Sequence, residues 1–558
     1  VGWLIGLTRV VKANVVTGIE TCVTTETTPG ASRVFFDPGR VRLLAGLLGL
    51  MILRIWYLLI CPMELIPDEA YYWDWSRQLD WSYYSKPPMI AGLIAFSTML
   101  LGTSEFTVRL PATILGTLGL WGVYELGRRL YGHRTGIWSV VIAGVTPGST
   151  ALCLLMTIDA PFLFAWTLAV YFLWRMLEGE SEARIWVLPT ILATGAGLLS
   201  KQTTLGLFPL VALFLITTPS QRSKLTSPWI WIWAIGSLAF LIPVAFWNSR
   251  HAWITVEHTR DHFPLESHSI LRHMTWCVEF LSSQFGILSP LVCGLMGMVT
   301  IVLMMRYKRL GDRERFLICF GGIPFVAITV LSLVQRVQPN WPAALHLTCV
   351  VTMAAWNCGE ITLSARLDRC RAAMFPAVCL GGAMAFAVTF VPFVLPSSEF
   401  AGTRLDPTGR LRGWKTASRL IAEKFGKLDS AREVLLVAAT SRAPVSEFAY
   451  YLPGQPRVYR WNVGEVIDSQ HDVWGGPENA SGKDALIVTE GDAVVPLRLA
   501  KAFADIEDLG TVSVPLGPTK SRQFRIWRGE TLSEWPARRS QDSIAVQMDE
   551  STLIPSRK

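Results

Sequence analysis

One pattern repeats from residue 43 to residue 395: a long apolar run, a short polar break, then another apolar run. The runs cover 43–61, 110–126, 136–155, 160–177, 185–199, 203–218, 229–247, 287–305, 316–334, 341–356 and 372–395. Bilayer hydrocarbon is about 30 Å thick, and a helix needs roughly 20 apolar residues to cross it. No water is present there to satisfy peptide groups, so each run must bond internally as a helix. The pattern predicts a polytopic all-α membrane protein with about eleven transmembrane helices.

Composition agrees. Hydrophobic residues make up 51% of the chain and charged ones 17%, where soluble domains carry about 25% charge. The 23 Trp suit a chain with many membrane–water interfaces. The net charge of +8 lies in short clusters between apolar runs, which argues for a topology signal and against a nucleic-acid partner. The ten Cys show no CxxC or Cys/His zinc spacing, and none follows Cys379, so no disulfide framework is expected.

Lys and Arg set the orientation. With a cytoplasmic N-terminus, alternation puts Arg128, Arg129, Arg134, Arg222, Lys224 and the cluster from Arg306 to Arg315 inside. The outer loops before the last helix then hold few basic residues, among them Arg77, Lys86, Arg109 and Lys201. This is the positive-inside bias. It also decides the short apolar run 89–101, which as a full crossing would put "GRRLYGHR" outside. That run is expected to be interfacial or re-entrant, which makes 62–108 one large first outer loop. Residues 1–40 lack a signal-peptide core and are expected to be a cytoplasmic tail. Residues 41–395 form the membrane domain. Residues 396–558 alternate β-like runs such as "VLLVAA" and "ALIVTE" with helical stretches, which predicts a soluble extracytoplasmic α/β domain.

The unusual residues gather on the outer side. The first loop reads "IPDEAYYWDWSRQLDWSYYSKPPM" and supplies Asp68, Glu69 and Lys86. Arg109 follows it, Asp159 lies in "MTIDAP", and Lys201 lies in "LLSKQT". Ionisable residues near membrane depth are costly and mark a pathway or a site. Such a mixture suits transfer of a sugar from a polyprenyl phosphate. A carboxylate deprotonates the acceptor hydroxyl, and cations hold the phosphate as its charge grows. Phosphate is a good leaving group, so the second carboxyl that a glycosidase needs as general acid is dispensable. Aromatic rings can stack on a sugar, so Tyr71, Tyr83 and Tyr84 are substrate-binding candidates, with Asn248 and His251 from a later outer loop. Arg54, inside the first run, either faces a lipid phosphate or snorkels outward. His258 and His262 have i, i+4 spacing and are the weak metal candidates; no metal site is expected, and no cofactor is required beyond an optional divalent cation.

Each residue also has a plainer role. Asp68 and Asp159 are acceptable helix N-caps, and Lys86 and Lys201 are acceptable snorkelling lysines. A transporter or flippase of lipid-linked sugars is the alternative function, although no internal repeat is evident.

The stretches "PDEAYYWDWSRQLDWSYYSKPPMIAGLI", "GTSEFTVRLPA", "TIDAPFLFAWTLAVYFL" and "LLSKQTTLGLFPLVALFL" resemble glycosyltransferase family 39. This bacterial group is related to protein O-mannosyltransferases and the lipid A aminoarabinose transferase. The resemblance runs from about residue 40 to residue 395. It implies a GT-C fold, a bacterial inner-membrane location and a polyprenyl-phosphate-linked sugar donor. Transfer to a lipid, glycan or protein hydroxyl would occur on the extracytoplasmic face, with inversion. By this similarity Asp68 is the base, Glu69 lies beside the acceptor, and Lys86 of "KPP" binds the donor phosphate. Asp159 and Lys201 match two further family motifs, the latter with Gln202 where glycine is usual. Arg109 and Arg54 join the phosphate-binding candidates.

The orientation yields a first test. Alkaline phosphatase fused after residue 536 should be active and a fusion at Arg128 inactive; the reverse pattern would invert the topology.

Overall fold

The computed structural model describes residues 38–260, 269–403, 406, 408–425, 434–462, 464, 467–518 and 520–536. The expected N-terminal tail lies almost wholly outside the described residues, as does His262.

Among the described residues, seven helices are long and apolar enough to cross a membrane, or eight if one bent pair counts as a single span. Four of them carry the argument below: α1 (Pro38–Ile60), α4 (Glu105–Tyr131), α5 (Asp159–Leu177) and α6 (Glu180–Ser200). Between α1 and α4 lie two short helices, α2 (Pro67–Ser76) and α3 (Met89–Leu101). At 1.5 Å per residue, α3 with its 13 residues reaches about 20 Å, short of the hydrocarbon thickness.

The expected eleven spans and the observed helices differ where the chain breaks them. The run 136–155 splits into His133–Gly144 and Pro147–Leu152. Thr146 caps the second piece by accepting the Ser149 N–H at 3.3 Å, and Pro147 stands in its first turn. The run 287–305 belongs to a pair of helices, Ile270–Leu288 and Pro290–Met305, that meet at 112°. Ser289 at φ 74° forms the corner, and Pro290 cannot donate to continue the first helix. The segment after residue 248 is also partly helical, at Ile254–Arg260 and Ile270–Leu288. The runs 203–218 and 341–356 become helices too short to qualify as spans by length.

Burial ranks the spans. In α5, 72% of the most apolar window is buried, against 17% in α1, so α5 is an inner helix and α1 a lipid-facing one. Gly122 on α4 permits close packing with α5, because a Cβ there would lie 2.9 Å from the Thr167 methyl.

The C-terminal region builds a five-stranded mixed sheet from β1 (Val434–Ala438), β2 (Val458–Arg460), β3 (Asp484–Glu490), β4 (Phe503–Pro515) and β5 (Ser521–Leu532). The strand order is β2-β1-β3-β5-β4; β1 runs parallel to β2 and β3, and β5 antiparallel to β3 and β4. Helix α7 (Arg442–Tyr451) connects β1 to β2. Side-chain alternation gives the sheet two apolar faces. Leu435, Val437, Ala485, Ile487 and Trp527 form the core on one face. Leu436, Ala438, Leu486, Val488, Phe524 and Ile526 line the other.

That second face does not end at the sheet. Its cluster continues through Val445 and Phe448 of α7 into Tyr71, Trp73 and Trp75 of α2, then Ile90 and Ile94 of α3. One hydrophobic core thus spans the C-terminal sheet and the first loop of the membrane region. Polar contacts follow the same seam. The Leu65 N–H donates to Tyr451 Oη at 2.7 Å, and the Trp414 N–H to Glu64 Oε2 at 2.7 Å. The Gln470 N–H donates to Tyr71 Oη at 2.5 Å, and the Tyr84 N–H to Gln470 Oε1 at 2.6 Å. The buried His471 Nε2 lies 3.1 Å from Asp74 Oδ2.

Candidate functional site

The site starts at the N-terminus of α2. Pro67 occupies the first turn, and the N-cap residue is Ile66, whose N–H donates to Glu69 Oε2 at 3.1 Å. The capping role open to Asp68 is therefore taken by Glu69, which reaches back from the third helical position. Glu69 is fully buried and meets Arg109 of α4, itself 2% exposed, through Nε at 3.0 and 3.1 Å and Nη2 at 2.7 Å. Glu69 also accepts the Met156 N–H at 2.8 Å. Arg109 donates further to the Met63 and Glu64 carbonyls, at 2.9 and 2.7 Å. Every nitrogen of that guanidinium has a protein acceptor, so the geometry gives Arg109 a positioning role.

Asp68, next in the chain to Glu69, points elsewhere. Its side chain is 47% exposed, and Oδ1 accepts from Arg442 Nη2 of α7 at 2.8 Å. Arg442 also sits over the Tyr71 ring, 4.8 Å from its centroid.

Asp159 opens α5 without capping it. It is 3% exposed; Oδ1 accepts from Lys201 Nζ at 2.8 Å and Oδ2 from Asn340 Nδ2 at 2.6 Å. Lys201 is 8% exposed, with Nζ 5.3 Å from the Phe162 ring centroid, so it turns inward and does not snorkel. Gln202 opens the short Gln202–Gly206 helical turn and is not among the residues with positive φ, so its backbone needs no glycine.

Lys86 is acted on by the charges of both ion pairs. It makes no direct ion pair among the described residues. Burial, and then the Lys201 charge, lower it to about 8, Arg442 adding to the effect while Asp159 and Asp68 oppose it. Lys86, Lys201 and Arg442 thus form one electrostatic cluster with Asp68 and Asp159. Its cations outnumber its carboxylates by one.

Other candidates fall elsewhere. Tyr83 is fully buried and stacks on Trp75 at 4.3 Å and 13°, and Tyr71 is 1% exposed. These rings form the core beneath α7, not an open floor. Tyr84 is buried and faces the His258 ring at 4.7 Å. Asn248 is buried and shapes its own turn, its Nδ2 donating to the Val244 carbonyl at 2.9 Å and its Oδ1 accepting the Thr255 N–H at 3.2 Å. His251 stacks on Trp247 at 3.9 Å. Arg54 turns into the helix bundle, where Nη1 donates to Thr117 Oγ1 at 3.1 Å, so it does not snorkel. Among the described residues no group of three or more His, Cys, Asp or Glu could hold a metal. Arg442 and Asn340 had no signal in the sequence, since a lone Arg before "APVSEF" or a lone Asn in "QPNWP" reads as ordinary surface.

Comparison with known proteins agrees with the fold. Residues 85–247 match the family described as dolichyl-phosphate-mannose-protein mannosyltransferase. A curated relative, the lipid A galacturonosyltransferase RgtD of Rhizobium johnstonii, is 28% identical over 316 residues, or 55% of this chain. That match spans 64% of the relative's own length. The crystal structure of apo ArnT from Cupriavidus metallidurans superposes with a TM-score of 0.59 at 14% identity, covering 88% of this chain and 98% of ArnT. The undecaprenyl phosphate-bound form of ArnT gives 0.59 at 15% identity, covering 87% of this chain and 98% of ArnT. The protein is thus a multi-pass membrane protein of GT-C fold that resembles family 39.

The buried pair makes a sharp test. Arg109→Met leaves the Glu69 carboxylate buried and unpaired, a loss of ~3–5 kcal/mol. Thermal unfolding in detergent should show a large drop, and Arg109→Lys should recover little of it, because one ammonium cannot serve four acceptors. Wild-type stability in Arg109→Met would remove the positioning role.

Proposed function

We propose that this GT-C protein is an integral-membrane glycosyltransferase that moves a sugar from a polyprenyl phosphate to a hydroxyl of a lipid, glycan or protein. In this reading the reaction takes place on the extracytoplasmic face of the bacterial inner membrane, with inversion. The named activity of the curated relative favours a lipid A-type acceptor and a uronic acid as the sugar. One observation carries the proposal: residues distant in the chain form the Asp159–Lys201 and Asp68–Arg442 ion pairs, and Lys86, which makes no direct ion pair among the described residues, is acted on by the charges of both.

The chemistry follows from that arrangement. Asp68, half-exposed, accepts the proton of the acceptor hydroxyl as its oxygen attacks the anomeric carbon. The bond from that carbon to the phosphate oxygen breaks, and the electron pair stays with the phosphate. Lys86 and Lys201 stabilise the added charge, in surroundings drier than bulk water. Asp159 aims Lys201 and is itself held by Asn340. Side chains alone supply these cations, so the proposed mechanism calls on no cofactor.

Two measurements test the reading. With a polyprenyl-phosphate-linked uronic acid as donor and lipid A as acceptor, Asp68→Asn should lose ~10²–10⁴-fold in turnover, the usual contribution of a general base. Retained turnover would remove Asp68 from that role. The second measurement uses pH. Lys86 is protonated below about 8 in the free protein, and a bound anion holds it protonated to higher pH. Donor affinity should therefore be flat at lower pH and fall as pH rises through about 8. Lys86→Met should be weak throughout and lack that fall. A flat wild-type profile would dissociate Lys86 from the phosphate.

A further inference from the structure

The transfer reaction moves one negative charge across the site. Before it, Asp68 is a carboxylate and the donor phosphate is a diester carrying one charge. Afterwards the proton is on Asp68, the diester bond to the sugar is broken, and the released polyprenyl phosphate carries up to two charges. The acceptor oxygen has bonded to the sugar, so atoms and electrons balance. Whatever cation pairs with Asp68 at the start loses its partner when the phosphate gains charge.

Arg442 is that cation. It comes from the C-terminal domain, as the first residue of α7, and its side chain remains 45% exposed. Its place is set by packing. Phe448 on the same helix packs edge-on against Phe524 at 5.1 Å, Tyr450 meets Trp73 at 4.8 Å, and Tyr451 Oη accepts the Leu65 N–H. The Asp68 and Tyr71 contacts already described hold the guanidinium where its charge acts on Lys86. A planar guanidinium suits both partners, because it matches carboxylate and phosphate oxygens in the same forked geometry.

We propose that Arg442 exchanges partners during the reaction, pairing with Asp68 in the donor-bound state and with the leaving phosphate once Asp68 is protonated. The C-terminal domain thereby contributes a catalytic residue, in addition to its packing on α2. This inference rests on the glycosyltransferase reading above. It adds that a domain bearing no family motif completes the active site.

The test is a double-mutant cycle on binding of undecaprenyl phosphate to the full chain in detergent at pH 7. Asp68→Asn imitates the protonated carboxyl and releases Arg442, so it should bind undecaprenyl phosphate about tenfold more tightly than wild type, the scale of one freed charge-assisted contact. Arg442→Gln should bind more weakly than wild type, and in that background Asp68→Asn should bring little gain. Monodispersity and thermal unfolding of each variant check that α7 is still docked. An equal gain from Asp68→Asn in both backgrounds would mean simple relief of repulsion between Asp68 and phosphate, and would overturn the exchange while leaving the glycosyltransferase reading intact. No gain in either background would do the same. Failure of the wild type and every variant to bind undecaprenyl phosphate would overturn both.

Discussion

The buried Glu69–Arg109 pair is the interaction on which the site depends. Burying two charges is expensive, and the cost is offset only when both groups are hydrogen-bonded throughout. Here the carboxylate takes the Arg109 fork, the Ile66 N–H and the Met156 N–H, while Arg109 takes two further carbonyls at residues 63 and 64. Three stretches of chain are tied at one point: the segment leading into α2, the first turns of α4, and the turn before α5. Asp68 adjoins one of these anchors. Asp159 lies three residues beyond Met156, another of them. Asp68 and Asp159 are therefore both located by this one pair.

The second constraint is apolar. The crowded aromatics of α2 look excessive for a loop at a membrane surface, and the fold explains them. Tyr71, Trp73 and Trp75 are the membrane-side half of a core whose other half is one face of a β-sheet. Aromatic side chains bury large areas, so a short helix of ten residues can pack firmly against a sheet face and α7. The same packing fixes α7 against α2 and brings Arg442 to Asp68. Rigidity at this seam and the Asp68–Arg442 pair thus have one physical origin, because the packing that docks α7 on α2 also brings the two side chains within reach.

Much of this was legible in advance, and the gaps have identifiable causes. Asp68, Lys86, Asp159 and Lys201 stood out because charge beside long apolar runs is costly and so conspicuous. The structure pairs Asp159 with Lys201 and Asp68 with Arg442. Glu69 and Arg109 stood out for the same reason, but their opposite charges satisfy each other, which residue type alone does not reveal. Tyr83 looked like a sugar platform since exposed and buried tyrosines have the same one-letter code; only the stack on Trp75 distinguishes them. The spans were mis-sized at 136–155 and 287–305, where Pro147 and Pro290 break runs that composition alone left whole.

What the sequence by itself determined is the solvent of each segment. Transfer from water to hydrocarbon is a sum over neighbouring residues, so apolar runs, interfacial Trp and basic loops report a membrane bundle followed by a polar α/β region without any knowledge of packing. Partnership was decided by tertiary structure alone. Asp68 and Arg442 are separated by 374 positions, and Asp159 and Asn340 by 181. Hydrogen bonds act over about 3 Å, and no local pattern encodes which distant groups will come within that range. Arg442 meets Asp68 only because a sheet face, a helix and an aromatic loop condense into one core.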